Sequence, residues 1–290
     1  MERTLGRKSL RLRVPRRVQS FLRDPAPVIG LAIVFVAVTG AIAAPLLGLP
    51  DPTAFDLEER LLSPRLEFPL GTDHLGRDEL SRLIYGGRTT LRTAAVVLAV
   101  VFAIALTVGT LSGYYGGWLD TFLMSVVDLV LAFPGLILAV AIAGTLGPSL
   151  MNVLIAMSVV WWAGYARLLR GMVLSVRSRE YVEAARAVGA SDRRIMVFHI
   201  WRNILGPVVV LATLDMGWIM LGISGLSFLG LGAQPPTPEW GAMLNDGRPF
   251  IQIAPQMILY PGAAIVLVVL GFNLLGDGLR DILDPTFYRR

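Results

Sequence analysis

The chain has 290 residues, 54% of them hydrophobic and only 16% charged, with a mean hydropathy of +0.64; it is too apolar for an ordinary soluble domain, so its main solvent is lipid. It has no cysteine, which excludes disulfides, thiolate metal sites and cysteine nucleophiles. The net charge of +5 sits in blocks beside apolar runs rather than on an aromatic-rich polar surface, so it reads as membrane topology and not as a nucleic-acid interface.

Residues 1–24 form a basic tail carrying Arg3, Arg7, Lys8, Arg11, Arg13, Arg16, Arg17 and Arg23. The apolar run after it is followed by no small-residue cleavage site, so the tail is expected to be retained. A bilayer core of about 30 Å needs roughly 20 apolar helical residues. Six stretches qualify: 27–49 (within a first segment 25–49), 91–111, 122–143, 150–169, 204–231 and 257–275. The predicted fold class is therefore all-α, a polytopic bundle of about six transmembrane helices forming one membrane domain. Its core is 91–280, and residues 281–290 form a second tail.

Basic residues near span ends stay in the cytoplasm. The first tail and the loop 170–203, with Arg170, Arg177, Arg179, Arg186, Arg193, Arg194 and Arg202, share a side when there are six spans. Both termini are then expected in the cytoplasm of a bacterial or archaeal cell. The loop 50–90 is expected outside, although it holds Arg60, Arg65, Arg77, Arg82 and Arg88, which runs against the rule. Glu59 and Glu239 are read as exposed on that outer side. The segment Gln234-Pro235-Pro236-Thr237-Pro238 cannot run as a helix, because proline has no amide donor, and reads as a cap or turn.

Chemistry is sparse. The single lysine, Lys8, follows no glycine-rich phosphate loop, so the chain is not a P-loop ATPase. Its two histidines, His74 and His199, lie outside the spans, and neither a zinc-protease nor a serine-hydrolase motif occurs. No enzymatic role is expected. His74 has no second histidine nearby and reads as a docking or structural residue rather than a metal ligand.

In the loop 170–203, Glu180 to Gly189 reads as a short helix, with Ser178 as its N-cap, Glu180 and Glu183 in the first turns and Gly189 as its stop. A second helix follows near Ser191. The small Ala184 and Ala185 would let another surface approach closely. By physics alone, a docking helix and an amphipathic helix lying on the membrane are equally open.

Within the spans, the sequence leaves Asp128 and Asp215 as charged residues, and such groups are functional by default. Asp128, six residues before Pro134, is read first as bonding a neighbouring helix. Asp215 lies near mid-span, on a helical face with Trp218, Ile219 and Gly222, where a carboxylate needs polar partners or a pathway. Asp215, Trp218 and Asp128 are the candidate pathway residues. Trp161, Trp162 and Tyr165 read as packing, and Gly222, Gly225, Gly230 and Gly232 as close helix contacts.

Several stretches together carry a resemblance: LGTDHLGRDELSRLIYGGRTTL from 70, VDLVLAFP from 127, WWAGYARLLRG from 161, EYVEAARAVGASDRRIMVFHIWRNILGP from 180, LSFLGLGAQPPTPEWGAML from 226 and FNLLGDGLRDILDP from 272. They resemble the peptide/nickel permease family of ABC importers, in particular its C-type subunit. The likeness covers about 70–285. The departures are Arg202, where a proline is common, and Ser125, where the family often has an arginine.

The resemblance implies a type I ABC importer permease fold, and alternating access driven from outside the chain. It also implies four partners: a B-type permease, two ABC ATPases and an external solute-binding protein. ATP and magnesium would be used by the ATPases, with no cofactor held by this chain. Glu180, Glu183, Ala184, Ala185 and Gly189 carry over as ATPase-coupling positions, and the C-terminal Gly276-Asp277-Gly278 as the cap and anchor of the sixth span. Nickel, as a small chelate, is the expected solute, because Ile223 stands where peptide-type members carry a glutamate. Di- or oligopeptides are the alternative. A carrier or channel working without ATP is the rival class, and it lacks paired broken helices in matching halves.

Overall fold

The computed structural model describes Phe21 and residues 24–283; most of the basic N-terminal tail and residues 284–290 lie outside that range. Among the described residues there is no strand beyond one isolated bridge between Thr72 and Asp78. Five helices among the described residues are long and apolar enough to cross a membrane, six if a bent pair is counted as one span.

Helix α1 (Pro25–Ala43) starts where Asp24 accepts from the Ala26 amide and proline occupies the first helical position. Helix α2 (Glu79–Tyr115) begins with Asp78 accepting from the Ser81 amide and stops at Gly116, whose φ of 69° suits glycine. At 37 residues it is about 55 Å long, well beyond the roughly 30 Å of a bilayer core. Residues 79–90, assigned by sequence to a loop, are therefore helical; their polar side chains hid the helix from a reading by hydropathy.

The expected single span 122–143 is corrected. Helix α3 (Gly117–Leu131) and helix α4 (Gly135–Leu146) meet at 83°. Pro134 has no amide for the ladder and disfavours helical backbone at the residue before it, so the helix cannot pass straight through. No second bent pair occurs among the described residues. The matching break expected of an inverted-repeat carrier is thus missing there.

Helix α5 (Leu150–Arg177) is capped by Ser149 and outruns the expected 150–169. Helix α6 (Glu180–Ala187) follows after two residues. Helix α7 (Asp192–Phe228) is continuous from well before the expected 204, its early stretch Ile195–Trp201 being wound as a π-helix. Helix α8 (Trp240–Gly247) follows the proline segment 234–238, which is not helical. Helix α9 (Gln256–Leu283) runs straight through Gly276 to Asp281. That segment does not cap the helix: a Cβ at Gly276 would lie 2.5 Å from the Leu214 side chain, and one at Gly278 would collide with the Pro27 ring. These glycines instead let α7 and α1 approach α9 closely.

The central contact is α2 against α5. Gly109 and Gly113 make it possible, since a Cβ there would sit 2.8 Å from the Ala166 carbonyl and 2.9 Å from that of Arg170. Helix α1 lies along α9, α7 packs on α9, α2 and α5, and α8 is wedged between α9, α7 and α2. One apolar core, with Val97, Met157 and Ile223, fills the half nearer α8; a second, with Leu169, Val182 and Ile200, fills the half nearer α6. Of the four glycines expected to make close contacts, Gly222 abuts Met157 and Gly232 the Ser227 side chain, whereas Gly225 faces open space and Gly230 follows the end of α7 with a φ of 83°.

Candidate functional site: an exposed helix and a half-buried carboxylate

Helix α6 projects from the bundle between α5 and α7. Ser178 does not cap it; its hydroxyl donates to the Ser175 carbonyl, because Ser178 is the C-cap of α5 and Arg179 stands at the N-cap of α6. Glu180 and Glu183 stand in the first turn, where the helix dipole favours them. The far end is closed by the Gly189 amide on the Arg186 carbonyl and the Ala190 amide on the Ala185 carbonyl, both at 3.0 Å. Gly189 has a φ of 83°, with nothing within 4 Å of where a Cβ would be. Glycine is required there by backbone conformation and not by crowding.

One side chain of α6 is anchored. Val182 is fully buried among Val173, Val176, Ile195 and Ile200. Glu180, Glu183, Ala184 and Gly189 are exposed, Ala185 is half-buried, and Val188 is 86% exposed. The result is a small-residue, partly apolar surface edged by acids, held up by one buried valine.

Asp128 pairs with Arg167 of α5, which supports its reading as a helix-to-helix bond. A second pair, absent from the sequence reading, joins Asp120 of α3 to Arg170 of α5 through two contacts of 2.6 Å, and Ser112 of α2 donates to the same carboxylate. The sequence put Arg167 and Arg170 in or beside a loop, so their role in tying α3 to α5 was not legible there.

Asp215 of α7 is half-buried, with the Tyr165 hydroxyl of α5 beside it. Tyr165 stacks on Phe102 of α2 at 4.9 Å. It also lines a cavity of about 340 Å³ at the α3–α4 break, together with Phe133, Gly135, Trp161 and Gly164. The expected face of Asp215, Trp218, Ile219 and Gly222 is split: Ile219 is fully buried in the core, whereas Trp218 is 66% exposed. Tyr165, read as packing, is the polar partner that Asp215 required.

At the α8 end, two of the five arginines that conflicted with the topology rule are buried in ion pairs. Arg77 lies 2.6 Å from Asp73, Arg82 lies 3.3 Å from it, and both reach Asp246 in the last turn of α8. Arg65 pairs with Glu59 and Glu67. His74 stacks on Phe250 at 5.2 Å, and burial holds its imidazole below the ordinary histidine range. Among the described residues no group of three metal-ligating side chains occurs. Glu239, read as exposed, is fully buried; it accepts from the Thr90 hydroxyl and caps α8 at the Ala242 amide.

Comparison with known proteins matches residues 105–288 to the family described as binding-protein-dependent transport system inner membrane component. The dipeptide transport system permease protein DppC of Alkalihalophilus pseudofirmus is 45% identical, over 91% of this chain and 86% of its own. The nickel transport system permease protein NikC of Escherichia coli K12 is also 45% identical, over 88% and 93%. The glutathione transport system permease protein GsiD of Pectobacterium atrosepticum is 41% identical, over 91% and 88%.

Proposed function

This chain belongs to the family of binding-protein-dependent transport system inner membrane components, as a C-type member of the peptide/nickel group, and on that premise we propose that it forms half of a solute pathway opened and closed through α6. It is a multi-pass inner-membrane permease subunit of an ABC importer and not an enzyme. In the proposed assembly it pairs with a B-type permease; two ATPases supply ATP hydrolysis with magnesium, and a binding protein delivers solute from outside. The chain itself holds no cofactor. The α6 end and both termini face the cytoplasm.

The observation that carries this reading is the exposed surface of α6, ended by a glycine in left-handed conformation and flanked by the acids of its first turn. A helix lying on lipid would turn its largest apolar side chain towards the membrane. Here Val182 points into the bundle, and the exposed face mixes Glu180, Glu183 and Arg186 with Ala184, Tyr181 and Val188, a charged and apolar mixture that suits a protein surface better than lipid.

For the solute, Asp215 lies beside Tyr165, and Tyr165 lines the cavity at the α3–α4 break. A negative group at that depth favours a solute with a positive centre. Nickel as a small chelate is our reading; the ammonium of a dipeptide, favoured by the identity to a dipeptide permease, is the second. The test is the reconstituted four-subunit complex with binding protein, supplied with radioactive nickel plus histidine or with radioactive dialanine. Solute-stimulated ATP hydrolysis with uptake of nickel is expected. Uptake of dialanine alone would replace nickel by peptide, and uptake independent of ATP would remove the importer reading.

A further inference from the structure

The last turn of α2 is gripped by every element of the α5–α6–α7 region. Tyr114 is 4% exposed. Its hydroxyl donates to Asp192 Oδ1 at 2.6 Å, at the first residue of α7. The guanidinium of Arg177, the last residue of α5, lies 5.9 Å from the centre of its ring, and that of Arg186 on α6 lies 5.8 Å from it. Arg177 also donates to the Gly113 carbonyl at 3.3 Å. One turn earlier on α2, the Thr110 hydroxyl accepts from Trp201 Nε1 of α7 at 3.0 Å.

A tyrosine suits this position because its two parts bind different partners: the ring attracts cations over its faces, and the hydroxyl makes a charge-assisted bond to a carboxylate. Asp192 and Arg186 lie on opposite sides of the turn at Gly189, so Tyr114 holds both arms of that turn to one point on α2. From that point α2 runs unbroken to Glu79. Near its far end, Cβ atoms at Gly86 and Gly87 would meet the Trp240 side chain at 3.2 and 2.7 Å, and Trp240 Nε1 donates to the Leu83 carbonyl at 2.8 Å. Helix α2 is thus a single rod with α6 fastened at one end and α8 at the other.

We propose that Tyr114 is the positioning residue that fastens the docking helix to α2, so that displacement of α6 moves α2 and, through it, the α8 end of the pathway. The proposal rests on the reading of α6 as the ATPase-docking helix. It is distinct from that reading, because Tyr114 is buried and is offered no contact with an ATPase.

The test uses the reconstituted four-subunit importer with its binding protein and the two probes above. Tyr114→Phe keeps the ring and removes the hydroxyl; Asp192→Asn keeps the shape and removes the charge. Each is expected to lower solute moved per ATP by roughly threefold to tenfold. Stimulation of ATP hydrolysis by the binding protein, which requires no identified solute, should fall by a similar factor. The ATPase recovered with the complex should be unchanged. The double variant should be no worse than either single one, since the two groups act through one bond. A merely structural tyrosine would instead reduce the amount of assembled complex and leave both ratios intact, which overturns the proposal. Unchanged ratios in Tyr114→Phe and Asp192→Asn beside a lowered one in Gly189→Val would also sink it while sparing the docking reading. A Gly189→Val complex that binds ATPase and transports normally would remove the docking reading, and this inference with it.

Discussion

Asp215 shows how a single carboxylate is made tolerable inside a membrane bundle. It is half-buried with the Tyr165 hydroxyl beside it, and that tyrosine is held in place by stacking on Phe102. Asp128 and Asp120 meet the same requirement differently, through arginines on α5. Asp215 has no such cation within ion-pair distance among the described residues, and in the proposed function its charge acts on a passing solute. Asp215→Asn keeps the shape and the contact with Tyr165 but removes the charge. Nickel uptake by the reconstituted complex is expected to fall about tenfold, with normal recovery of all four subunits. Undiminished uptake at limiting nickel would show that this carboxylate plays no part in the pathway. Trp218, three residues further along the same helix, is two-thirds exposed in the isolated subunit.

Helix α6 owes its length to its two ends. It begins directly behind α5 with no side-chain cap, and it stops where Gly189 takes a positive φ. A β-branched residue is strongly disfavoured at that backbone conformation, at a cost of about 1–2 kcal/mol. Gly189→Val should therefore distort the turn between α6 and α7 rather than the bundle, because nothing packs against the glycine. Insertion and thermal stability of the subunit should stay close to normal, while ATPase recovered with the complex drops roughly fivefold to thirtyfold, the equivalent of that strain. Undiminished ATPase in a pull-down of the variant would count against α6 as the docking element. The break between α3 and α4 belongs to the same scale: one proline turns an apolar run of crossing length into two helices at 83° and opens the cavity beside Tyr165.

For the whole molecule, the orientation is open to a direct chemical test, because the chain contains no cysteine of its own. Single cysteines at Glu58 and Glu67, both exposed in the segment before α2, should react with an impermeant thiol reagent in intact cells; cysteines at Glu183 and Val188, exposed on α6, should not. Labelling of α6 without the other two would invert the molecule and detach α6 from any cytoplasmic ATPase. Glu239 is unsuitable as an outer reporter, since it is fully buried beneath α8. What the sequence determined by itself was whatever depends on composition along the chain: a lipid-solvated, all-helical bundle with six apolar crossings, the short helix from Glu180 stopped by Gly189, and the family likeness carried by contiguous motifs. Tertiary structure decided whatever depends on residues far apart. Arg77 and Arg82 looked like misplaced topology signals until Asp73 and Asp246, one of them more than 160 residues away, proved to bury them; Tyr165 looked like packing until α5 brought it to Asp215; and Gly276 looked like a helix stop until α7 pressed against it. Hydropathy measures transfer of a segment from water to lipid, and it is blind to which polar groups will find each other once the helices are packed.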